Sequence, residues 1–421
     1  MQKMRKMKDS GIEWIGEIPE GWEIGQIGQL YSERRTKVSD KDYPPLSVTM
    51  KGILPQLSTA AKTDAHDDRK LVCKGDFAIN SRSDRRGSCG ISEQDGSISL
   101  INTVLQPRGE MNPGYYNWLF HTSMFADEFY KWGHGIVDDL WTTGWSDMKK
   151  IGVPVPSKCE QKQLAEHLNF ECSNIDTILS KTRSSIEEYK KLKQAVITQA
   201  VTKGVRGERE MKDSGVDWIG EIPVDWEISR IKYVSIFEPS CDFRKLTPET
   251  IITYSPMECI KNGTFERRTS LYGNLAHTLT PFQNGDIVMA KVTPCFENGN
   301  IAIMNELQSG YGLGSSELFV FRPQNINTGY LFYWLQNKLF VHQACATMTG
   351  TGGLKRVSPS FVKNCNIHYP STAEQAQIAA YLDIKCAEID KLVVKKEQLV
   401  KELESYKKSL IYEVVTGKRE V

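Results

Sequence analysis

A phrase written twice constrains this chain more than any other feature. Met7-Lys8-Asp9-Ser10-Gly11 and Trp14-Ile15-Gly16-Glu17-Ile18-Pro19 return as Met211-Lys212-Asp213-Ser214-Gly215 and Trp218-Ile219-Gly220-Glu221-Ile222-Pro223, a shift of 204 residues. Trp22-Glu23-Ile24 and Trp226-Glu227-Ile228 extend the match at the same shift. Farther on, Pro156-Ser157, Glu160-Gln161, Leu168 and Ile175-Asp176 recur as Pro370-Ser371, Glu374-Gln375, Leu382 and Ile389-Asp390, a shift of 214 that holds to Val201-Thr202 and Val415-Thr416. Duplicated sequence has to bury duplicated surface in the same way, so the period decides the architecture. Between the repeated blocks the halves share a Gly-Asp (Gly75-Asp76, Gly285-Asp286), a Gly-Tyr followed by aromatics (Gly114-Tyr115, Gly329-Tyr330) and little else. A duplicated frame therefore carries two different inserts.

The second repeated block reads as a helix. Ser157-x-x-Glu160 and Ser371-x-x-Glu374 are capping boxes just after a proline, where hydroxyl and carboxylate satisfy the orphaned N–H groups of a first turn. Apolar residues then follow a seven-residue rhythm. In the second copy Leu382, Ile389, Leu403 and Leu410 form one row, interrupted by Lys396, and Leu392, Leu399 and Tyr406 form the other. In the first copy the rows are Leu168, Ile175, Tyr189 and Val196, then Ile178 and Leu192. These rows are the predicted inter-helix packing of two long antiparallel helices forming a coiled coil. A seam over roughly 45 residues implies a helix of about 70 Å at 1.5 Å per residue. Gly204 and Gly207 stop the first helix and Gly417 the second. The tail Gly417-Lys418-Arg419-Glu420-Val421 resembles the stretch from Gly207 into the second copy, and the chain opens Met4-Arg5-Lys6-Met7-Lys8-Asp9. The end reads as though it ran on into the beginning, so a near-cyclic, pseudo-two-fold arrangement with neighbouring termini is predicted.

The inserts, about residues 30–150 and 235–365, mix β-branched runs such as Asp286-Ile287-Val288-Met289-Ala290-Lys291-Val292 with Gly and Asn turns, followed by aromatic helical stretches. The fold class is α+β: two pseudo-two-fold related α+β domains joined by the helices. The boundaries are 1–156 for the first domain, 157–206 for the first helix, 207–370 for the second domain and 371–421 for the second helix. Basic residues gather on the loops of the inserts: Arg34, Arg35 and Lys37; Arg82, Ser83, Arg85 and Arg86; Arg267 and Arg268; Lys291; and Thr349, Thr351, Lys355 and Arg356. The planar fork of Arg grips phosphates and pairs bidentately with guanine, which makes these the candidate DNA contacts.

Composition removes several other classes. Lys and Arg number 53 against 52 Asp and Glu, a net charge of +1, which argues against a protein held to nucleic acid by overall charge, although local basic patches can still track phosphates. Ten cysteines without C-x2-C spacing and seven histidines make neither a zinc nor a disulfide framework, so no metal is expected. No run of eighteen apolar residues spans a membrane, no signal-peptide core follows Met1–Lys8, and a cytoplasmic location is expected. Thr349-Gly350-Thr351-Gly352-Gly353-Leu354-Lys355 lacks phosphate-loop spacing and reads as a DNA-facing loop. Gly310-x-Gly312-x-Gly314 lacks dinucleotide spacing and reads as a turn.

The paired W-I-G-E-I-P segments, the Gly-Asp before a hydrophobic strand in each half, and the E-Q opening of each long helix with its Val-Thr end resemble the specificity subunits of Type I restriction-modification systems. The resemblance covers nearly the whole chain. It implies two target recognition domains, one per half of a split double-stranded DNA site, with the helical pair setting their spacing. It also implies a chain without catalytic residues or directly bound cofactor. Catalysis would lie in two modification (methyltransferase) subunits using S-adenosylmethionine and in restriction (motor-nuclease) subunits using ATP and magnesium. The competing expectation is a single-chain adenine-specific DNA methyltransferase, since Asn112-Pro113-Gly114-Tyr115 is similar to the N-P-P-[YF] loop that holds a flipped adenine.

Overall fold

The computed structural model describes residues 5–56, 67–82, 85–135, 141–261, 263–276, 278–351 and 353–421. The chain folds as two compact units, Met1–Arg183 with Gln398–Val421, and Ser184–Glu397. Each unit thus takes one insert together with part of both long helices, whereas the boundaries read from the sequence fall at the helix ends.

Each insert is built on a four-stranded antiparallel sheet. In the first unit β1 (Tyr31–Glu33), β2 (Phe77–Asn80), β3 (Cys89–Ile91) and β4 (Asn102–Pro107) lie in the order β3-β2-β4-β1. Two aromatic helices follow, α1 (Pro113–Phe120) and α2 (Ser123–Lys131), and then the long helix α3 (Lys158–Lys203). The second unit repeats this with β5 (Ser235–Phe237), β6 (Ile287–Ala290), β7 (Ile301–Ile303) and β8 (Leu318–Pro323) in the order β7-β6-β8-β5, then α4 (Thr328–Trp334), α5 (Lys338–Ala346) and α6 (Thr372–Val415). The central strands β2 and β6 are buried at every position because alternate residues feed two cores. Phe77 and Ile79 face Tyr116 and Phe120 on α1, while Ala78 joins Val72, Ile98 and Val104 on the other side. Ile287 and Met289 likewise meet Tyr330 and Trp334, and Val288 meets Phe282 and Val320.

The repeated Gly-Asp is an anchor for the strand that follows it. Gly75 and Gly285 adopt φ +88° and +87°, a left-handed turn that glycine enters without strain. The buried Asp76 then accepts the Cys73 N–H and a fork from Arg34, with Nε at 2.6 Å. Asp286 accepts the Gln283 N–H and a fork from Arg322, at 2.8 and 2.9 Å. The arginine arrives just beyond edge strand β1 in one unit and from β8, beside the edge, in the other. The turn Gly310–Gly314 predicted from sequence is a strand instead, since Tyr311–Gly314 pairs with both Ile251–Ser255 and Thr280–Gln283. Its glycines make room for neighbours, because a Cβ on Gly312 would stand 2.1 Å from the Phe282 ring.

The long helices run 46 and 44 residues and pair antiparallel. In the first unit Lys407 reaches Asp176 at 2.6 Å, and in the second Lys193 reaches Asp390 at 2.6 Å, the same bond repeated 214 residues apart. Polar residues in an otherwise apolar seam fix register, because any slip strands a half-buried ammonium. The row through Leu168, Ile175, Leu382, Ile389 and Leu410 is buried, and Tyr189, Val196 and Leu403 are partly buried along it. The second row requires correction. Ile178, Leu192, Leu392, Leu399 and Tyr406 sit half-exposed on the flank, and the seam is completed by Cys172, Leu179 and Ile186, and by Cys386, Val393, Val400 and Val414. A seam alternates steps of three and four; the sequence reading stepped three from each first-row residue where the helix steps four.

Each helix end plugs into the insert of the other copy. Val201 lies in the core of the second unit, where its carbonyl accepts the Tyr330 hydroxyl at 3.2 Å, and the Val415 carbonyl in the first unit accepts the Tyr115 hydroxyl at 2.7 Å. The Lys418 ammonium donates to the Ile15 carbonyl at 2.8 Å, which brings the end of the chain onto its opening segment.

His368 sits at the first of these closures, stacked on Trp226 with Nε2 2.7 Å from the Val201 carbonyl oxygen. A carbonyl only accepts, so Nε2 carries the proton, and Nδ1 has no partner among the described residues. Burial pushes its pKa down to about 4. Between about 6.5 and about 4 the unfolded chain takes up a proton that the folded chain refuses, so stability falls as pH drops through that window. At 1.36 kcal/mol per unit the loss is about 3 kcal/mol. Urea unfolding of the second unit at pH 7.0 and 4.5 reads it directly. His368→Gln, which keeps a donor for Val201, is expected to shrink the difference between the two pH values.

Candidate nucleic-acid interface

Both inserts build the same backbone junction where the central strand ends. After β2, the Ser81 N–H donates to the Ile101 carbonyl at 3.3 Å and the Ser81 carbonyl accepts from Thr143 at 3.0 Å. After β6, the Lys291 N–H donates to the Glu317 carbonyl at 3.0 Å and the Lys291 carbonyl accepts from Val357 at 2.9 Å. A pair of residues closes the loop beyond the aromatic helices in each case: His134 with Thr142, and Thr349 with Arg356, each exchanging two backbone bonds. Bridges from Arg82 to Thr142 and from Val292 to Arg356 complete the match. Five stations thus share one backbone but carry unlike side chains: Ser81 and Lys291, Arg82 and Val292, Ile101 and Glu317, His134 and Thr349, Thr142 and Arg356.

In the second unit the structure gathers most of the sequence candidates at this junction. Arg356 is exposed and forked onto Glu317 at 2.7 and 2.8 Å, which draws the Glu317 carboxyl below its ordinary pKa. Lys291 lies over the Phe319 ring at 5.7 Å, and the Lys355 N–H donates to Thr293 Oγ1 at 2.9 Å. Thr349, Thr351 and Lys355 are exposed on the loop, whose Gly352 is not among the described residues. Arg267 and Arg268 stand apart from the junction, Arg267 paired with Glu306 and Arg268 with Glu266 at 2.9 Å and Glu258 at 3.3 Å.

In the first unit the candidates scatter. Arg34 is committed to the buried Asp76 and serves the fold, so it is withdrawn as a contact to DNA. Arg35 is exposed beside Glu33 at 2.6 Å, and Lys37 faces Asp68 at 2.5 Å. Arg82 and Arg85 are exposed at the junction, and Arg86 pairs with Asp127 over the Tyr130 ring. Ser83 lies outside the described residues. Glu317, His134 and Thr142 were not singled out from sequence. Their stations are defined by backbone bonds between segments tens of residues apart, which leave no local pattern. Exposed ion pairs of this kind hold a guanidinium in place for about 1 kcal/mol or less, so a phosphate or a base edge can compete for it.

Comparison with known proteins places this geometry. The family described as the Type I restriction modification DNA specificity domain matches residues 223–402. The EcoEI specificity subunit of Escherichia coli is 33% identical over 163 residues, which is 38% of this chain and 27% of that protein. The MjaVIII specificity subunit of Methanocaldococcus jannaschii is 24% identical over 95% of this chain and 93% of its own length. The chain is similar to the specificity subunits of Type I restriction-modification systems, through the family model over residues 223–402 and through these relatives. It spans about a quarter of the length of the E. coli relatives, 27% in each case. A chain from a solved type I R-M system shares the fold at a TM-score of 0.72 and 12% identity, covering 94% of this chain and 98% of that one.

Two features shared by the two halves of the chain gain a structural reason. The Gln of the E-Q pair clasps the start of the aromatic helix: the Gln161 carbonyl oxygen accepts the Asn112 N–H at 2.9 Å, and that of Gln375 accepts the Asn327 N–H at 2.7 Å. Asn112 in turn caps α1 through the Tyr115 N–H at 3.2 Å, with the Tyr115 ring fully buried. Asn112-Pro113-Gly114-Tyr115 is therefore a helix start, and the reading of the chain as a methyltransferase has no support.

Proposed function

We propose that the chain reads an asymmetric, bipartite DNA target for a Type I restriction-modification assembly and supplies no catalytic group itself. The observation that carries this is the duplicated junction: one backbone in two copies, dressed with different side chains. Identical readers related by a two-fold would favour a palindrome, whereas unlike readers favour two different half-sites. Methyl transfer and cleavage then belong to partners, two modification subunits using S-adenosylmethionine and restriction subunits using ATP and magnesium. Exposed apolar residues on the long helices suit contact with such partners, foremost Phe170, 65% exposed, and Ile384 at the same station of the other helix, 60% exposed. Among the described residues no helix is long and apolar enough to cross a membrane.

The test is reconstitution. The purified chain with S-adenosylmethionine is expected to methylate nothing, and addition of its modification subunit should yield methylation at a single split sequence. Replacing Arg82, Arg85 and Arg86 by Ala should then weaken selection at one half-site and spare the other. Methyl transfer by the chain alone, or equal loss at both half-sites, would contradict this reading.

A further inference from the structure

The pairing of Arg356 with Glu317 has a geometry that its counterpart in the first reader lacks. Glu317 Oε1 and Oε2 take Arg356 Nη2 and Nε at 2.7 and 2.8 Å, which locks the guanidinium plane from one edge. Nη1 and the outer proton of Nη2 remain directed away from the carboxylate, and the side chain is half-exposed. Two parallel N–H donors on a fixed plane match the paired O6 and N7 acceptors of guanine in the major groove. A guanidinium meant only for phosphate gains little from such locking, since phosphate oxygens accept from many directions.

At the same stations the first reader carries Thr142 and Ile101, which form no such fork, on a backbone that bonds identically. Arg267 and Arg268 also have carboxylate partners, but they lie outside the shared junction. We propose that Arg356, oriented by Glu317, reads a guanine in the half-site of the second reader, while Thr142 makes the corresponding station of the first reader blind to that guanine. Glu317 acts as a positioning residue. The inference rests on the DNA-reading function proposed above and adds the base and the residue pair.

The experiment uses the chain assembled with its modification subunits and a DNA library randomised across both half-sites, with methylated products sequenced. Arg356→Gln is expected to lower discrimination for guanine at one position of the second half-site by about 5- to 150-fold, leaving every position of the first half-site as it was. Glu317→Gln should loosen the same position while the charge of Arg356 remains. Thermal melting of each variant establishes that it is folded, and Glu317→Gln serves if Arg356→Gln is not. A uniform loss across all sequences, with the slope of log affinity on log salt reduced by about one, would make Arg356 a phosphate contact and overturn the assignment. Unchanged base preference in both variants would overturn it too. Absence of any sequence preference in the unsubstituted assembly would instead refute the DNA-reading function on which the assignment rests.

Discussion

A chain cut after Ser409 is expected to lose the fold of its first insert, some three hundred residues upstream of the cut, and to keep that of its second. The residues removed are core residues of the first unit. Leu410, Val414 and Val415 are buried among Trp14, Trp22, Tyr115 and Leu168, and the Tyr412 hydroxyl and Lys418 ammonium bond the carbonyls of Trp14 and Ile15. Burying a Val or Leu side chain contributes about 1.5 to 3 kcal/mol, so the three together supply at least about 5 kcal/mol. That equals the whole stability of many domains. Limited proteolysis with peptide mapping is expected to show rapid cleavage within residues 30–150 and continued protection of 235–365. Equal protection of both inserts would mean that the closure adds nothing to the first core.

That closure was legible because it was written as repetition, with the tail resembling the stretch that leads into the second copy. The sheet strands and aromatic helices were legible from apolar runs as well. The seam was only half legible. Lys193, Lys396 and Lys407 stand in the inter-helix rows, and Leu392 and Leu399 stand outside them, so choosing the most apolar residues selects the flank. What decides the matter is the partner surface: Lys407 is acceptable in the seam because Asp176 is across from it, and Lys396 because it lies over the Tyr189 ring at 5.7 Å. The proposed DNA-reading surface was legible only as charge. Arg34 and Arg356 look alike in sequence, yet one is held by a buried carboxylate at the start of a central strand and the other by a partly exposed one at the junction. Which carboxylate an arginine meets depends on strand order, and no local pattern records it.

Pseudo-symmetric positions need not be energetically equal, and the E-Q glutamates provide the test. Glu374 is 1% exposed and takes two bonds from Arg209, at 2.6 and 3.2 Å, with Arg206 at 3.4 Å. Its counterpart Glu160 has a side chain 31% exposed, pairs with Arg5, and also accepts the Trp22 indole N–H at 3.1 Å and the Ser157 hydroxyl at 2.8 Å. Arg209→Ala would leave a buried carboxylate without its main partner, and losses of that kind run to about 3 to 5 kcal/mol. Arg5→Ala would leave a carboxylate that keeps its other donors and meets water, a loss of about 1 kcal/mol or less. Chemical denaturation of the two variants is therefore expected to show a large fall in the midpoint of the second unit for Arg209→Ala and a small fall in that of the first for Arg5→Ala. Equal losses would mean that burial does not separate the two copies of this clasp. An Arg209→Lys variant separates charge from geometry, because a single ammonium cannot serve both carboxylate oxygens as the guanidinium does. If the fork matters, it should recover less than half of the alanine loss.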